Sequence, residues 1–124
     1  KGAQILLVED DERMRYVLMH RLEAQGYSIT TSAYGEEALR LLDKSDYDLI
    51  LMDLRLPGMS GWETTKRLRE KESAQGRHTL IVGVTASPML QDHARAKAAG
   101  MDDVLVKPID ELALRAILTA WVAV

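Results

Sequence analysis

Cysteine and phenylalanine are both absent from this 124-residue chain. Without cysteine the protein has no disulfide scaffold, no thiolate metal site and no cysteine nucleophile, a composition that fits a reducing compartment. Without phenylalanine, the apolar core must be built from Leu, Val, Ile, Ala and Met.

The sequence also lacks an excess of basic residues and any long apolar run. Lys and Arg total 16 against 19 Asp and Glu, a formal net charge of −3 at pH 7. We therefore expect no nucleic-acid partner and no direct membrane contact. No run approaches the roughly 20 apolar residues that span a bilayer, and the segment KGAQILLVEDD carries no signal-peptide pattern. These features favour a cytoplasmic location.

What remains is the composition of a globular protein, with 47% hydrophobic and 28% charged residues. A chain of this length buries about two-thirds of its unfolded surface in one core and has no room for two. We therefore predict a single domain over residues 1–124.

Short apolar runs alternate with helical patterns along the chain. Three runs are mostly apolar, as is typical of strands buried on both faces of a parallel sheet. They are ILLV at 5–8, DLILM at 48–52 and LIVGV at 80–84. The weaker strand candidates are YSITTS at 27–32 and DVLV at 103–106.

Each strand is followed by a helical pattern bounded by residues that favour helix ends. The first helix is predicted to start after Asp11 and stop at Gly26, the second to span residues 36–44, and the third to start at Ser60. The fourth is predicted to have Ser87 as its cap, Pro88 as its first helical residue and Gly100 past its end, and the fifth to start at Asp110. Ser60 and Glu63 have capping-box spacing. This alternation predicts a doubly wound α/β sandwich, in which a five-stranded parallel sheet lies between two helical layers.

Chemically useful side chains stand at the carboxyl ends of four predicted strands, where doubly wound sheets bind their ligands. They are Glu9, Asp10 and Asp11 after the first strand, Asp53 after the third, Thr85, Ala86 and Ser87 after the fourth, and Lys107 and Pro108 after the fifth. Taken singly, the acids are ordinary helix caps and Lys-Pro is an ordinary turn. Their joint occurrence predicts one crevice.

The expected crevice suits phosphoryl transfer. Three adjacent carboxylates repel one another unless some are protonated or a hard cation lies among them. Oxygen-only ligands favour Mg²⁺ or a similar ion such as Mn²⁺. Lys107 and Thr85 would stabilise a transferring phosphoryl group. A carboxylate can be the nucleophile, and Asp53 is the best candidate because a central strand would hold it at the crevice floor.

Four segments together resemble the receiver domain of two-component response regulators. They are ILLVEDD, LILMDLRLPGMSG, VGVTAS and GMDDVLVKPI, and the resemblance covers nearly the whole chain. It implies a flavodoxin-like (βα)5 fold and acceptance of a phosphoryl group from phosphohistidine in a Mg²⁺-dependent reaction. The implied partner is a histidine kinase or a histidine-phosphotransfer domain. The domain itself would be no kinase, although it would catalyse its own phosphorylation and slow hydrolysis.

The resemblance also implies the roles of the metal and acceptor residues. Glu9 and Asp10 match the acidic pair that holds Mg²⁺, and Asp53 matches the phosphoacceptor. Arg55 matches the position whose backbone carbonyl completes the metal shell.

Further roles fall to residues after the fourth and fifth strands. Thr85 matches the switch hydroxyl, and Ala86 matches the small residue that leaves the site open. Lys107 matches the lysine that pairs with the acceptor aspartate or its phosphate, and in the family its bond to Pro108 is cis.

Val104 departs from the family pattern. An aromatic residue usually stands three residues before the lysine and swings inward on phosphorylation, so the usual coupling between threonine and aromatic cannot operate here. Arg55 and Ser87 occupy the two positions at which the family tunes phosphoryl lifetime. The segment AAGMDDVLVKPI resembles the receivers of hybrid sensor kinases. If the parent protein is a membrane-bound hybrid kinase, the domain would lie on its cytoplasmic side.

Three alternatives remain. A degenerate receiver, serving only as an interaction module, is disfavoured by the intact Asp53, Thr85 and Lys107. A phosphatase of the haloacid-dehalogenase type needs a second aspartate where this chain has Arg55. A flavin or nucleotide module needs a glycine-rich phosphate loop, but EDDERM follows the first strand. The sequence leaves open the oligomeric state, and whether the domain is free-standing or part of a longer protein.

Overall fold

A computed structural model of the chain describes residues 2–86 and 89–121. Within these ranges strands and helices alternate strictly. The strands are β1 (Gln4–Val8), β2 (Ser28–Ser32), β3 (Leu49–Asp53), β4 (Leu80–Thr85) and β5 (Asp103–Val106). The helices are α1 (Glu12–Ala24), α2 (Gly35–Lys44), α3 (Gly61–Gln75), α4 (Leu90–Ala99) and α5 (Glu111–Trp121).

The strands form one parallel sheet in the order β2-β1-β3-β4-β5. β3 and β4 are buried throughout, as their apolar sequences predict. Successive residues of a strand point to opposite faces, so Ile5 and Leu7 pack in one apolar cluster with α1 and α5, while Leu6 and Val8 pack in another with α2, α3 and α4. The predicted doubly wound sandwich is confirmed.

The strand order places a crevice between β1 and β3. The chain runs from β1 outward to β2, then returns past β1 to form β3 on its other side. Loops therefore diverge at the carboxyl ends of β1 and β3, which is where open α/β sheets bind ligands. Glu9 directly follows β1, and Asp53 is the last residue of β3.

Most predicted helix ends are found, but α4 starts later than predicted. The Asp11 side chain caps α1 by accepting from the Met14 N–H at 3.1 Å, and Ser60 caps α3 through the Glu63 N–H at 3.1 Å. By contrast, α4 begins at Leu90 after an extended Met89. The predicted cap Ser87 and first helical residue Pro88 lie outside the described residues.

A close backbone approach fixes the start of α3 against the end of β3. The Gly61 N–H donates to the Leu54 carbonyl at 2.9 Å. A Cβ at Gly61 would lie 2.1 Å from the Asp53 carbonyl oxygen, so only glycine fits there. No helix in the described part of the chain is long and apolar enough to cross a membrane.

Candidate functional site

The carboxyl ends of β1 and β3 bring three carboxylates together. One carboxylate oxygen from each of Glu9, Asp10 and Asp53 lies within 4.8 Å of the other two. Glu9 and Asp53 are 2% and 6% exposed, whereas Asp10 is exposed. The fourth acid of this region, Asp11, is used to cap α1 and lies outside the group.

Lys107 lies between the two buried carboxylates. Its ammonium nitrogen is 3.0 Å from Glu9 Oε1 and 3.1 Å from Asp53 Oδ2. The Lys107 backbone N–H donates to the Thr85 carbonyl at 2.6 Å, which continues the β4–β5 pairing and aims the side chain back across the sheet. The peptide bond between Lys107 and Pro108 is cis.

Backbone donors orient both buried carboxylates. The Arg55 N–H donates to Asp53 Oδ1 at 3.1 Å, and the Asp11 N–H donates to Glu9 Oε2 at 3.1 Å. The Arg15 guanidinium binds the Glu9 carbonyl at 2.9 Å. Each oxygen of Asp53 therefore accepts one hydrogen bond, from Lys107 or from Arg55.

Negative charge exceeds positive charge in this group, with one ammonium facing three carboxylates. Burial raises the pKa of the Glu9 carboxyl above its usual 4.5, and Asp53 adds to the rise, although hydrogen bonds from Lys107 and the Asp11 N–H oppose it. Burial alone would lower the pKa of the Lys107 ammonium. Glu9 and Asp53 outweigh that effect and raise it, so Lys107 is a fixed cation at neutral pH.

An open cleft of about 330 Å³ lies above the Asp53 carboxylate, lined by Asp53, Arg55, Thr85, Ala86 and Lys107. Thr85 is buried at the end of β4, and Ala86 is exposed.

The structure does not bring every predicted residue into this cleft. Val104 is half-buried in β5 and packs against the apolar cluster beneath α2, α3 and α4. Pro108 lines a separate groove beside α1. Ser87 is outside the described residues.

Sequence reasoning missed the connection from this cleft to α4. The Arg55 guanidinium lies 3.6 Å from Asp92 Oδ1 and 5.2 Å from the centre of the Trp62 ring. Arg95 of α4 lies 4.0 Å from the same centre. Trp62 itself is buried beside these arginines. No local signal joins residues so far apart in sequence.

The donor set fits a hard divalent cation. All three candidate ligands are carboxylates, which are the ligands that Mg²⁺ prefers. Two of them are buried, and burial, with a smaller contribution from Asp53, raises the pKa of Glu9. The Asp53 carboxylate, held at the cleft floor, is also placed to act as a nucleophile.

This site and the fold around it define a class of signalling domain. The family model for the response regulator receiver domain matches residues 5–119, and the chain belongs to that family. The predicted family and the flavodoxin-like fold are thereby confirmed.

Two solved structures show how close the likeness is. The receiver domain of sensor histidine kinase PA1611 from Pseudomonas aeruginosa PAO1 is 37% identical, with a TM-score of 0.89 and full coverage of both chains. That structure has a magnesium ion coordinated in its active site cleft. A chain in the co-crystal structure of the Saccharomyces cerevisiae phosphotransfer protein Ypd1 with the receiver domain of Ssk1 is 32% identical, with a TM-score of 0.89 over 97% of this chain and 88% of that chain.

The curated relatives include much longer proteins. The virulence sensor protein BvgS of Bordetella pertussis is 36% identical over 125 residues, which is 98% of this chain and 10% of that protein. The chain thus spans about a tenth of the length of this relative.

Proposed function

We propose that residues 1–124 form a phosphoacceptor receiver domain in which Asp53 accepts a phosphoryl group from phosphohistidine. The observation that carries this proposal is the setting of the Asp53 carboxylate. It is buried at the floor of an open cleft, with Lys107 on one oxygen and the Arg55 N–H on the other. Acceptance of a phosphoryl group is the general function of the family.

The transfer forms one bond and breaks one. A carboxylate oxygen of Asp53 attacks phosphorus, and the N–P bond to the donor imidazole breaks as the O–P bond forms. The imidazole nitrogen keeps the electron pair and takes a proton from solvent. Slow hydrolysis then returns the carboxylate and inorganic phosphate, so the domain catalyses its own modification without being a kinase.

Lys107 and Thr85 would stabilise the transferring group. The Lys107 ammonium, 3.1 Å from Asp53 Oδ2, is held as a cation by its two carboxylate neighbours and neutralises charge on the phosphoryl oxygens. Thr85 lines the same cleft and would donate its hydroxyl proton to a phosphoryl oxygen. Ala86 has a small side chain that leaves the entrance open.

Glu9, Asp10, Asp53 and the backbone carbonyl of Arg55 would hold Mg²⁺ or Mn²⁺. When bound, the ion neutralises the acidic group and charge on the phosphoryl oxygens. The PA1611 receiver domain, with magnesium in its cleft, supports this proposal.

The proposed donor is a histidine kinase or a histidine-phosphotransfer protein. The Ypd1–Ssk1 complex and the likeness to the PA1611 receiver domain support this choice. We propose that the domain works in the cytoplasm, as part of a hybrid sensor kinase of the kind that PA1611 and BvgS suggest.

Intact-mass measurement after incubation with acetyl phosphate tests the proposal. We expect one phosphoryl group to be gained with Mg²⁺, none without Mg²⁺, and none in Asp53→Asn. If the wild type gains nothing, beryllofluoride binding separates the explanations. Binding would mean that the phosphoryl group is lost too fast to observe, and no binding would mean a degenerate receiver.

A further inference from the structure

Arg55 connects the acceptor carboxylate with α4. Its backbone N–H donates to Asp53 Oδ1 at 3.1 Å, and its side chain lines the cleft. The same side chain reaches Asp92 on α4 at 3.6 Å. One residue thus contacts both the cleft floor and α4.

The bond between Arg55 and Asp92 is easily exchanged. The Arg55 side chain is 69% exposed, and its distance of 3.6 Å from Asp92 is long for a charged hydrogen bond. A long ion pair with one exposed partner contributes little to stability. A phosphoryl group on Asp53 would carry more charge than Asp92 and would offer oxygens suited to a guanidinium.

A second arginine, Arg95, contacts Trp62 more closely than Arg55 does. Arg95 lies 4.0 Å from the centre of the Trp62 ring, whereas Arg55 lies at 5.2 Å. Arg95 belongs to α4 itself and does not line the cleft. Trp62 therefore has one close and one loosely held cationic neighbour.

We infer that Asp92 is a positioning residue for the phosphorylation site: it competes with the phosphoryl group on Asp53 for the guanidinium of Arg55. The inference rests on the proposed function. When Asp53 is phosphorylated, Arg55 turns from Asp92 to the phosphoryl oxygens and α4 loses its link to the β3–α3 loop. This exchange gives the cleft a connection to α4 that does not need an aromatic residue at Val104.

A double-mutant cycle tests the competition. Beryllofluoride affinity is measured by calorimetry at saturating Mg²⁺ for the wild type, Arg55→Ala, Asp92→Asn and the double variant. We expect Asp92→Asn to tighten binding about two- to fivefold in the presence of Arg55, the range of an exposed ion pair, and to have no effect in Arg55→Ala. Arg95→Ala is the matched control, and it should bind beryllofluoride like the wild type.

The cycle separates competition from a general charge effect. Removing the Asp92 charge would favour any anion in the cleft equally in both backgrounds, and only the non-additive part belongs to Arg55. An Asp92→Asn effect that is equal in both backgrounds, or absent from both, overturns the inference while the proposed function stands. Failure of the wild type to bind beryllofluoride overturns both.

Tryptophan fluorescence gives an independent readout. In a Trp121→Tyr background, Trp62 is the only indole. Beryllofluoride should change its emission as Arg55 moves away, and this change should be absent in Arg55→Ala. An equal change with and without the Arg55 side chain would contradict the exchange.

Discussion

The two ends of the sheet each bury a cluster in which one cation contacts two carboxylates, but only the cluster at the carboxyl ends borders an open cleft with a third carboxylate beside it. The cluster at the amino ends of the strands is centred on Arg69 of α3. Its guanidinium donates to Glu72 Oε1 at 2.6 Å, to Asp102 Oδ2 at 2.9 Å, and to the carbonyls of Thr79 and Gly100 at 2.7 and 2.9 Å.

The carboxylates of this amino-end cluster have further partners. Glu72 Oε2 accepts from the backbone N–H and the hydroxyl of Thr79. Asp102 accepts from the Ile81 N–H at 2.9 Å and lies 2.7 Å from His78 Nε2. Every charged side chain of the cluster thus has several partners, and together they tie α3 to the starts of β4 and β5.

The cleft at the carboxyl ends of the strands differs because it is open and has a third carboxylate. Lys107 contacts Glu9 and Asp53, the exposed Asp10 lies beside them, and the pKa of Glu9 is raised. The contrast teaches that burial of charge does not by itself mark a functional site. A buried network closed off by its own partners serves the fold, whereas carboxylates at an open cleft, one of them with a raised pKa, predict a binding site for a cation.

Breaking the amino-end cluster should have the largest effect on stability. We expect Arg69→Met to lower the free energy of unfolding by about 3–5 kcal/mol, because Glu72 and Asp102 would become uncompensated buried charges. Arg67→Met is the control, since its exposed pair with Glu63 contributes about 0.5 kcal/mol or less. Urea denaturation measures both, and similar losses would contradict the assigned role.

Removing one acid from the cleft should weaken metal binding instead. We expect Asp10→Asn to lower Mg²⁺ affinity at least about tenfold, or 1.4 kcal/mol, because one charged ligand is lost. Asp11→Asn is the control, because asparagine caps helices as well as aspartate does. Calorimetric titration with Mg²⁺ would contradict this assignment if the two variants bound equally well.

Removing the Lys107 ammonium from the cleft should strengthen metal binding. We expect Lys107→Met to tighten Mg²⁺ binding about two- to fivefold, because the nearest positive charge no longer repels the ion. Phosphorylation by acetyl phosphate should nevertheless slow. A loss of Mg²⁺ affinity as large as that of Asp10→Asn would show that Lys107 supports the metal site.

The smallest effect concerns pH. Because the folded state raises the pKa of Glu9, the neutral carboxyl is favoured by folding. Its contribution to stability is complete below the unfolded pKa near 4.5 and is lost as the pH rises through the folded value. Glu9→Gln should remove this fall in stability with rising pH, measured by thermal melts of the metal-free protein between the unfolded and the folded pKa of Glu9. A difference between wild type and variant that does not change with pH would argue against it.

The sequence predicts the strands and the cleft residues well for a physical reason. Parallel strands align their carboxyl ends, so the residues at or directly after the ends of β1, β3, β4 and β5 meet at one edge of the sheet, independently of loop conformation. Glu9, Asp53 and Lys107 needed no long-range information beyond strand position. The start of α4 was less predictable, because the helix begins at Leu90 after an extended Met89 whose side chain makes no capping hydrogen bond.

Contacts between distant side chains were out of reach of the sequence. Arg69 and Asp102 are 33 residues apart and meet only because α3 packs beside the start of β5. Arg55 and Asp92 are 37 residues apart and meet only because α4 packs beside the β3–α3 loop. Their local patterns are those of ordinary solvated charges.

The alternation of strands and helices, the family, and the acids and lysine at the strand ends could be predicted from the sequence, because they follow from local pattern and strand direction. Tertiary structure sets how charge is shared: Arg69 binds two buried carboxylates at one end of the sheet, and Lys107 lies between two of three carboxylates at the other. It also decided that Arg55 reaches α4. The orientation and separation of helices set these distances, and they depend on packing across the whole core.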